Sequence, residues 1–257
     1  MRMILLHRIT PFALLIVSAA GFWAAMQPWG LFPLWPLFVS LVLCFFLFAR
    51  LGGWASHRAS SWHLILPSLL FLASVQGLFL LAETVAGRVA LAMLASLTLF
   101  FYAEQVFTYV HAPALYQPFA IQHVSLGMNL VTVFCAGAVA FGTRVFLQAP
   151  FAVLVPAVAV VAGYGVFQAL WASKMEGRRA AVFGVAAGVA AGESVWALAL
   201  LPTGFYVDAA VLTLVLYVFL GLSRASFLKQ LTRPLAVRYV AAGVVLASVL
   251  LGTAAWQ

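Results

Sequence analysis

The sequence is short of charged residues. Asp, Glu, Lys and Arg make up only 7% of its 257 residues, whereas 66% of the residues are hydrophobic. Soluble domains contain about 25% charged residues. No soluble core buries such a large apolar fraction, so the shortage of charge excludes an ordinary soluble domain. It predicts instead that the lipid bilayer surrounds the chain.

Cysteine is scarce, and the common catalytic motifs are missing. The only two cysteines, Cys44 and Cys135, lie singly inside apolar runs, so we expect neither a disulfide framework nor a C-x-x-C redox or metal motif. The sequence contains no P-loop, no G-x-G-x-x-G, no G-x-S-x-G and no H-E-x-x-H. We therefore predict no metal site, assign no catalytic residue and no cofactor, and leave open whether the protein is an enzyme.

Acidic residues are fewer than basic ones. Five acidic residues stand against 13 Lys and Arg, which gives a net charge of +8. The basic residues lie singly at the ends of apolar runs, a pattern typical of topology determinants and of contacts with lipid headgroups. The charge therefore predicts no nucleic-acid partner. It predicts a bilayer with anionic headgroups on the cytoplasmic side.

Long apolar runs are what the chain has in abundance. They predict an all-α, polytopic helix bundle of about nine transmembrane helices, forming a single transmembrane domain over residues 1–257. The predicted spans are 9–26, 33–49, 63–83, 89–110, 119–141, 146–172, 180–201, 206–222 and 235–255. The first span resembles a signal peptide, but because further spans follow it, we expect it to remain as the first helix.

The distribution of positive charge predicts the orientation. With a cytoplasmic N-terminus, 11 of the 13 Lys and Arg fall in inner segments, and only Arg88 and Arg144 fall in outer ones. Only residues 84–88 separate the third and fourth spans, so a single re-entrant hairpin is the alternative there. No organellar signal is visible, and the predicted location is the plasma (inner) membrane.

Polar and titratable side chains crowd into residues 104–129, across the fourth and fifth spans. Residues three or four apart share one face of a helix. One such stripe is Glu104, Thr108 and His111, and a second is Gln122, Ser125, Asn129 and Thr132, with His123 beside it. A short turn joins the two helices, so they are expected to be antiparallel neighbours. Because lipid leaves polar groups unsatisfied, the two stripes are expected to face each other.

Two interpretations of these stripes remain open. In the first, they form a polar pocket in which Glu104 is a base or ligand and His111 and His123 carry protons. In the second, the same side chains only join helices by hydrogen bonds. The candidates for substrate binding or proton coupling in this region are Glu104, Thr108, His111, Gln122, His123 and Asn129.

The seventh span contains a carboxylate and a glycine repeat. Glu193 lies near the middle of the span, where an ionisable group is expensive and indicates a functional site by default. A protonated Glu193 that hydrogen-bonds to another helix is the alternative. Gly184, Gly188 and Gly192 repeat every four residues, which predicts close approach of another helix. That helix is either part of the same chain or part of a homo- or hetero-oligomer.

Three classes of function fit these patterns. The first is a carrier or permease-like protein that binds a small or lipid-like substrate through its intramembrane polar residues. The second is a membrane-embedded lipid-modifying enzyme that uses Glu104, His111 and His123. The third is a structural or assembly subunit of a membrane complex. We prefer the carrier, because isolated polar groups within a membrane suit binding better than bond breaking.

Overall fold

The structure of the chain is a computed structural model that describes residues 7–27, 34–52, 59–117 and 119–254, with only the backbone at 59–61. The predicted span bounds at residues 33 and 255 lie outside the described residues. Within the described ranges the chain is helical, without strands. The helices are α1 Thr10–Met26, α2 Leu34–Leu51, α3 Ala59–Leu81, α4 Val85–His111, α5 Ala120–Leu147, α6 Phe151–Ala172, α7 Gly177–Leu198, α8 Phe205–Phe227 and α9 Arg233–Thr253, with a 3₁₀ turn at Pro113–Leu115.

Helix length and composition match the thickness of a bilayer. Helices α2 to α9 are all apolar and long enough to cross a membrane, whereas α1 is apolar but has only 17 residues. At about 1.5 Å per residue, the 18 residues of α2 measure about 27 Å, close to the hydrocarbon core of about 30 Å. The prediction of a polytopic helical membrane protein is confirmed, and the chain is a multi-pass membrane protein.

Helix α9 shows why a bilayer is required. It has no buried residue, and large apolar side chains such as Val237, Val244 and Val245 are about 60% exposed. A contiguous apolar surface of this kind is rare on soluble monomers. Lipid is the solvent that makes this face stable.

The third and fourth spans are both full-length helices. Helix α3 has 23 residues and α4 has 27, and the short connection between them forms without a long loop. Thr84 is the N-cap of α4, and its hydroxyl accepts a hydrogen bond from the Gly87 N–H at 3.1 Å. This cap satisfies one of the free N–H groups of the first turn.

The boundary between α5 and α6 differs from the sequence prediction. The predicted spans leave a loop at residues 142–145, but α5 continues to Leu147. The helix ends where Gln148 takes a positive φ of 52° and Pro150 precedes α6 as its N-cap. Proline cannot continue a helix, because it lacks the N–H and disfavours the helical conformation in the preceding residue. The proline therefore sets the boundary.

The chain divides into two compact units, residues 1–128 and residues 129–257. In the first unit, α1 packs against α2 and α4. Leu14 and Phe22 of α1 are fully buried. Two polar contacts join its helices: Gln76 Nε2 donates to Leu37 O at 3.1 Å and Tyr102 OH donates to Leu64 O at 2.9 Å. The boundary lies inside α5, after Met128.

In the second unit, α7 packs against α6 and α8, and α9 packs against α8. Alanines occupy much of the buried surface, including Ala162, Ala187 and Ala191. Such small side chains let helix backbones approach each other. This close approach shapes the candidate site described below. The prediction of one domain over the whole chain stays a prediction.

Candidate functional site

Helices α6 and α7 are in contact through their backbones. A Cβ added to Gly188 would lie 2.8 Å from the carbonyl oxygen of Ala159, and one added to Gly163 would lie 2.8 Å from that of Gly184. A Cβ added to Gly192 would lie 3.3 Å from Val155 Cγ1. The predicted glycine repeat thus packs against α6 of the same chain.

This close packing leaves a groove along the outside of the seam. Two adjoining cavities of about 430 and 600 Å³ share Ala159, Gly188 and Val189 in their lining. The glycines form the floor, and larger exposed side chains such as Val160 and Val185 form the walls. We name this feature the α6–α7 groove. It faces outward, because its wall residues are more than half exposed.

Glu193 lines the wider part of the groove and is the only charged residue in the lining of the two cavities. Its side chain is exposed on a surface that is otherwise apolar. No hydrogen bond or ion pair joins it to any residue in the part of the chain that the structure describes. At about 1.5 Å per residue, it lies about 4 Å from the midpoint of residues 180–201. A carboxyl group at this depth needs a ligand, a water molecule or a proton.

An aromatic stack closes one end of the groove. Trp196, which the sequence places inside a span and not at its edge, stacks on Phe151 with a centroid distance of 5.0 Å and an interplanar angle of 18°. The Arg144 guanidinium lies 4.3 Å from the centroid of the Phe151 ring, and its Nη1 donates to Ala149 O at 3.3 Å.

 The stack therefore holds Trp196 in place one turn after Glu193, and the indole forms part of the groove wall beside the carboxylate.

Tyr164 lies near the other end of the same groove. It lines the smaller cavity, and its hydroxyl is buried without a hydrogen-bond partner among the described residues. Because α6 and α7 run antiparallel, with Ala159 opposite Gly188 and Gly163 opposite Gly184, Tyr164 lies level with the first half of α7. It is therefore too far along the seam to bond with Glu193, and the two polar groups mark different levels of the groove.

The first predicted polar stripe lies on α4, in the first unit. Glu104 is half-buried, and its side chain makes no polar contact with any other described residue. The Thr108 hydroxyl donates to the Glu104 carbonyl oxygen at 2.8 Å. His111 Nε2 lies 3.0 Å from Leu51 O, and the imidazole stacks on His7. Of this stripe, only His111 therefore bonds to another helix.

The second stripe lies on α5, and the unit boundary divides it. Gln122 and Ser125 are buried in the first unit, whereas His123 is exposed and its Nδ1 lies 2.9 Å from Phe119 O, one turn earlier. In the second unit, Asn129 Nδ2 donates to Gly165 O at 3.1 Å and to Gln168 Oε1 at 2.6 Å.

Asn129 thus joins α5 to α6, and its partner Gln168 was not among the predicted site residues. The signal in the sequence that could have identified Gln168 is a single amide side chain within an apolar run. The pocket between the two stripes stays a prediction. The described geometry favours the α6–α7 groove as the candidate site, because it combines a cavity with an unpaired carboxylate.

Comparison with known proteins gives one match. Residues 54–254 match a family model described as "Protein of unknown function (DUF5656)". The matched region includes α3 to α9, and with them the groove and Glu193. No curated protein and no solved structure matches the chain.

Proposed function

We propose that this chain, which belongs to the DUF5656 family, is a carrier-like membrane protein that binds a lipid-like amphiphile in the α6–α7 groove. Glu193 provides the polar contact, and the apolar walls hold the hydrocarbon part of the ligand. The observation that supports the proposal most strongly is an unpaired, exposed carboxylate in an apolar groove inside a membrane span.

The dimensions of the groove suit a hydrocarbon chain. From Ala181 to Ala197, the α7 residues that line the groove extend over about 24 Å at about 1.5 Å per residue, which is most of the thickness of the hydrocarbon core. The two cavities fall within the range of about 300–1,000 Å³ that is typical of ligand pockets. A ligand seated along the seam would reach across most of the bilayer.

Glu193 determines the chemistry of the ligand head. An ionised carboxylate accepts hydrogen bonds from a hydroxyl or an ammonium group, and a protonated one also donates. Burial of either form costs less free energy next to such a group than next to hydrocarbon. The proposed ligand therefore has one hydrogen-bond donor on an otherwise apolar body. Glu193 would hold either a proton or the ligand in turn. This exchange is the basis of proton-coupled transport.

The other two classes of function have less support. In the enzyme alternative, Glu104, His111 and His123 act together, but the polar contacts of the two histidines are with the carbonyl oxygens of Leu51 and Phe119. The subunit alternative needs a free glycine face, and Gly184 and Gly188 pack against α6. An oligomer through α7 would use its outer face instead. We further propose the plasma membrane, with anionic headgroups at the basic helix ends, as the location.

Substitution of Glu193 by glutamine tests the proposal. In native mass spectrometry of the detergent-solubilised full chain, we expect the wild type to retain a lipid-like amphiphile. We expect the Glu193→Gln variant to retain it at least tenfold more weakly, because the amide lacks charge and cannot exchange a proton. Glu176→Gln is the matched control, since Glu176 is exposed and pairs with Arg179 at the start of α7.

A second pair of variants tests the groove itself. Val189→Trp would fill the part that both cavities share, whereas Val182→Trp adds the same bulk at an exposed position outside the lining. Only the first is expected to displace the ligand. Equal ligand retention by wild type, Glu193→Gln and Val189→Trp would refute binding in the groove. If binding is lost but proteoliposomes of the wild type show no proton-dependent uptake, the carrier part of the proposal is wrong and the binding part stands.

A further inference from the structure

A basic cluster lies at one end of the first unit and shares no residue with the α6–α7 groove. His7 lies three residues before α1, His111 ends α4, and Arg50 lies in the last turn of α2. The imidazole rings of His7 and His111 stack, with centroids 4.4 Å apart and an interplanar angle of 13°. His111 Nε2 lies 3.0 Å from Leu51 O, so the stacked pair adjoins the end of α2 that contains Arg50.

This cluster has no acidic partner. None of the three side chains forms an ion pair with a described residue. Glu104, the carboxylate on α4, is seven residues before His111, about 10 Å along the helix. Helix C-termini attract cations, which accounts for Arg50 and His111. It does not account for His7, whose Nδ1 is buried without a hydrogen-bond partner in the described ranges.

We propose that His7, Arg50 and His111 bind a phosphate group, supplied either by an anionic lipid headgroup or by free phosphate. A guanidinium forms two parallel hydrogen bonds to phosphate oxygens, and a protonated imidazole adds a charge-assisted one. His111 already uses Nε2 for Leu51 O, so its Nδ1 and the Nδ1 of His7 are the ring nitrogens proposed to bind the anion. The predicted orientation places this end of the unit at the cytoplasmic headgroups.

Binding at this cluster depends on pH. Burial, together with the nearby His111 and Arg50, lowers the pKa of His7 below its ordinary 6.5, so the ring is neutral at pH 7.5. The groups that face it are His111 from α4 and Arg50 from α2, whereas neighbouring Arg8 is exposed. A bound phosphate opposes the positive charge of Arg50 and favours protonation of His7. By linkage, protonation favours binding, so affinity rises as pH falls.

The test measures lipid and phosphate binding by the full chain. Phosphatidylglycerol is the lipid probe because its phosphodiester keeps the same charge between pH 5.5 and 7.5, and phosphatidylcholine is its control. We expect native mass spectrometry to show several-fold tighter binding of phosphatidylglycerol at pH 5.5 than at pH 7.5. Inorganic phosphate, followed by the unfolding temperature of the solubilised protein, tests the other source.

Matched variants assign the effect to the cluster. Arg50→Gln is expected to weaken binding at least tenfold, and Arg178→Gln, which removes an exposed arginine at the start of α7, is expected to leave it unchanged. His7→Gln is expected to reduce the pH dependence, and it precedes α1, so it remains informative if Arg50→Gln does not fold. Binding of the lipid alone identifies a headgroup site, and binding of phosphate alone a soluble anion site. Binding of neither probe, or equal binding by wild type and both cluster variants, would overturn the proposal.

Discussion

Replacement of Gly188 by valine is expected to separate α6 from α7 and to unfold the second unit. The added Cβ would lie 2.8 Å from the carbonyl oxygen of Ala159, which belongs to helix backbone and cannot rotate away. Real Cβ atoms essentially never approach so closely. The helices must move apart along the whole seam, which removes the packing that stabilises them. We expect a loss of about 3 kcal/mol or more in the free energy of unfolding.

Tryptophan fluorescence provides the measurement, because Trp196 of α7 stacks on Phe151 of α6 and loses that contact when the helices separate. Gly188→Ala should show a smaller loss in the same direction. Gly252→Ala and Gly252→Val are the matched controls, since a Cβ on Gly252 in α9 meets nothing within 4 Å. If Gly188→Val unfolded at the same denaturant concentration as the wild type, the close seam between α6 and α7 would be wrong.

Replacement of Asn129 by leucine is expected to lower the free energy of unfolding by about 2 kcal/mol. Leucine has a similar size but cannot donate to Gly165 O or to Gln168 Oε1. Both amide side chains are buried, so the loss removes hydrogen bonds that no water replaces. Detergent-denaturation titrations of the purified protein would measure the change.

A double-mutant cycle separates this contact from general damage. If Asn129 and Gln168 stabilise each other, the double variant Asn129→Leu/Gln168→Leu should lose less stability than the two single variants together, by about 0.5 kcal/mol or more. Gln117→Leu, at an exposed position in the turn before α5, is the control for loss of an amide. Strict additivity would show that the two amides act independently. If the Asn129→Leu variant kept its stability but lost its ligand, Asn129 would be a ligand-binding residue, as the sequence predicted.

Helix number and membrane insertion follow from composition and could be predicted from the sequence. In the described residues, every apolar run long enough to cross the bilayer is a helix, because a helix satisfies its own backbone polar groups in lipid. Boundaries were less certain. The predicted span ends at residue 141, but α5 continues to Leu147 and the boundary lies at Pro150, because only proline removes a backbone donor.

The candidate site was predicted in part. Glu193 stood out in the sequence because a carboxylate is rare in an apolar run. The glycine repeat likewise indicated close helix packing. The groove that brings them together was not visible, since its lining also needs Ala159 and Val155, which are ordinary residues of another helix. Stripe geometry on α4 and α5 indicated which residues share a face but not what each side chain contacts.

By itself, the sequence determined that the chain is helical and embedded in a membrane. Insertion into a bilayer depends on the hydrophobicity and length of each apolar run, and both are local properties of the sequence. The tertiary structure decided the pairing. It placed His111 against His7, although 104 positions separate them, and it gave Asn129 a partner in Gln168. It also directed the glycines of α7 to α6 of the same chain. In lipid, many helix faces are equally apolar, so only the fit of particular side chains and small residues selects the neighbour of each helix.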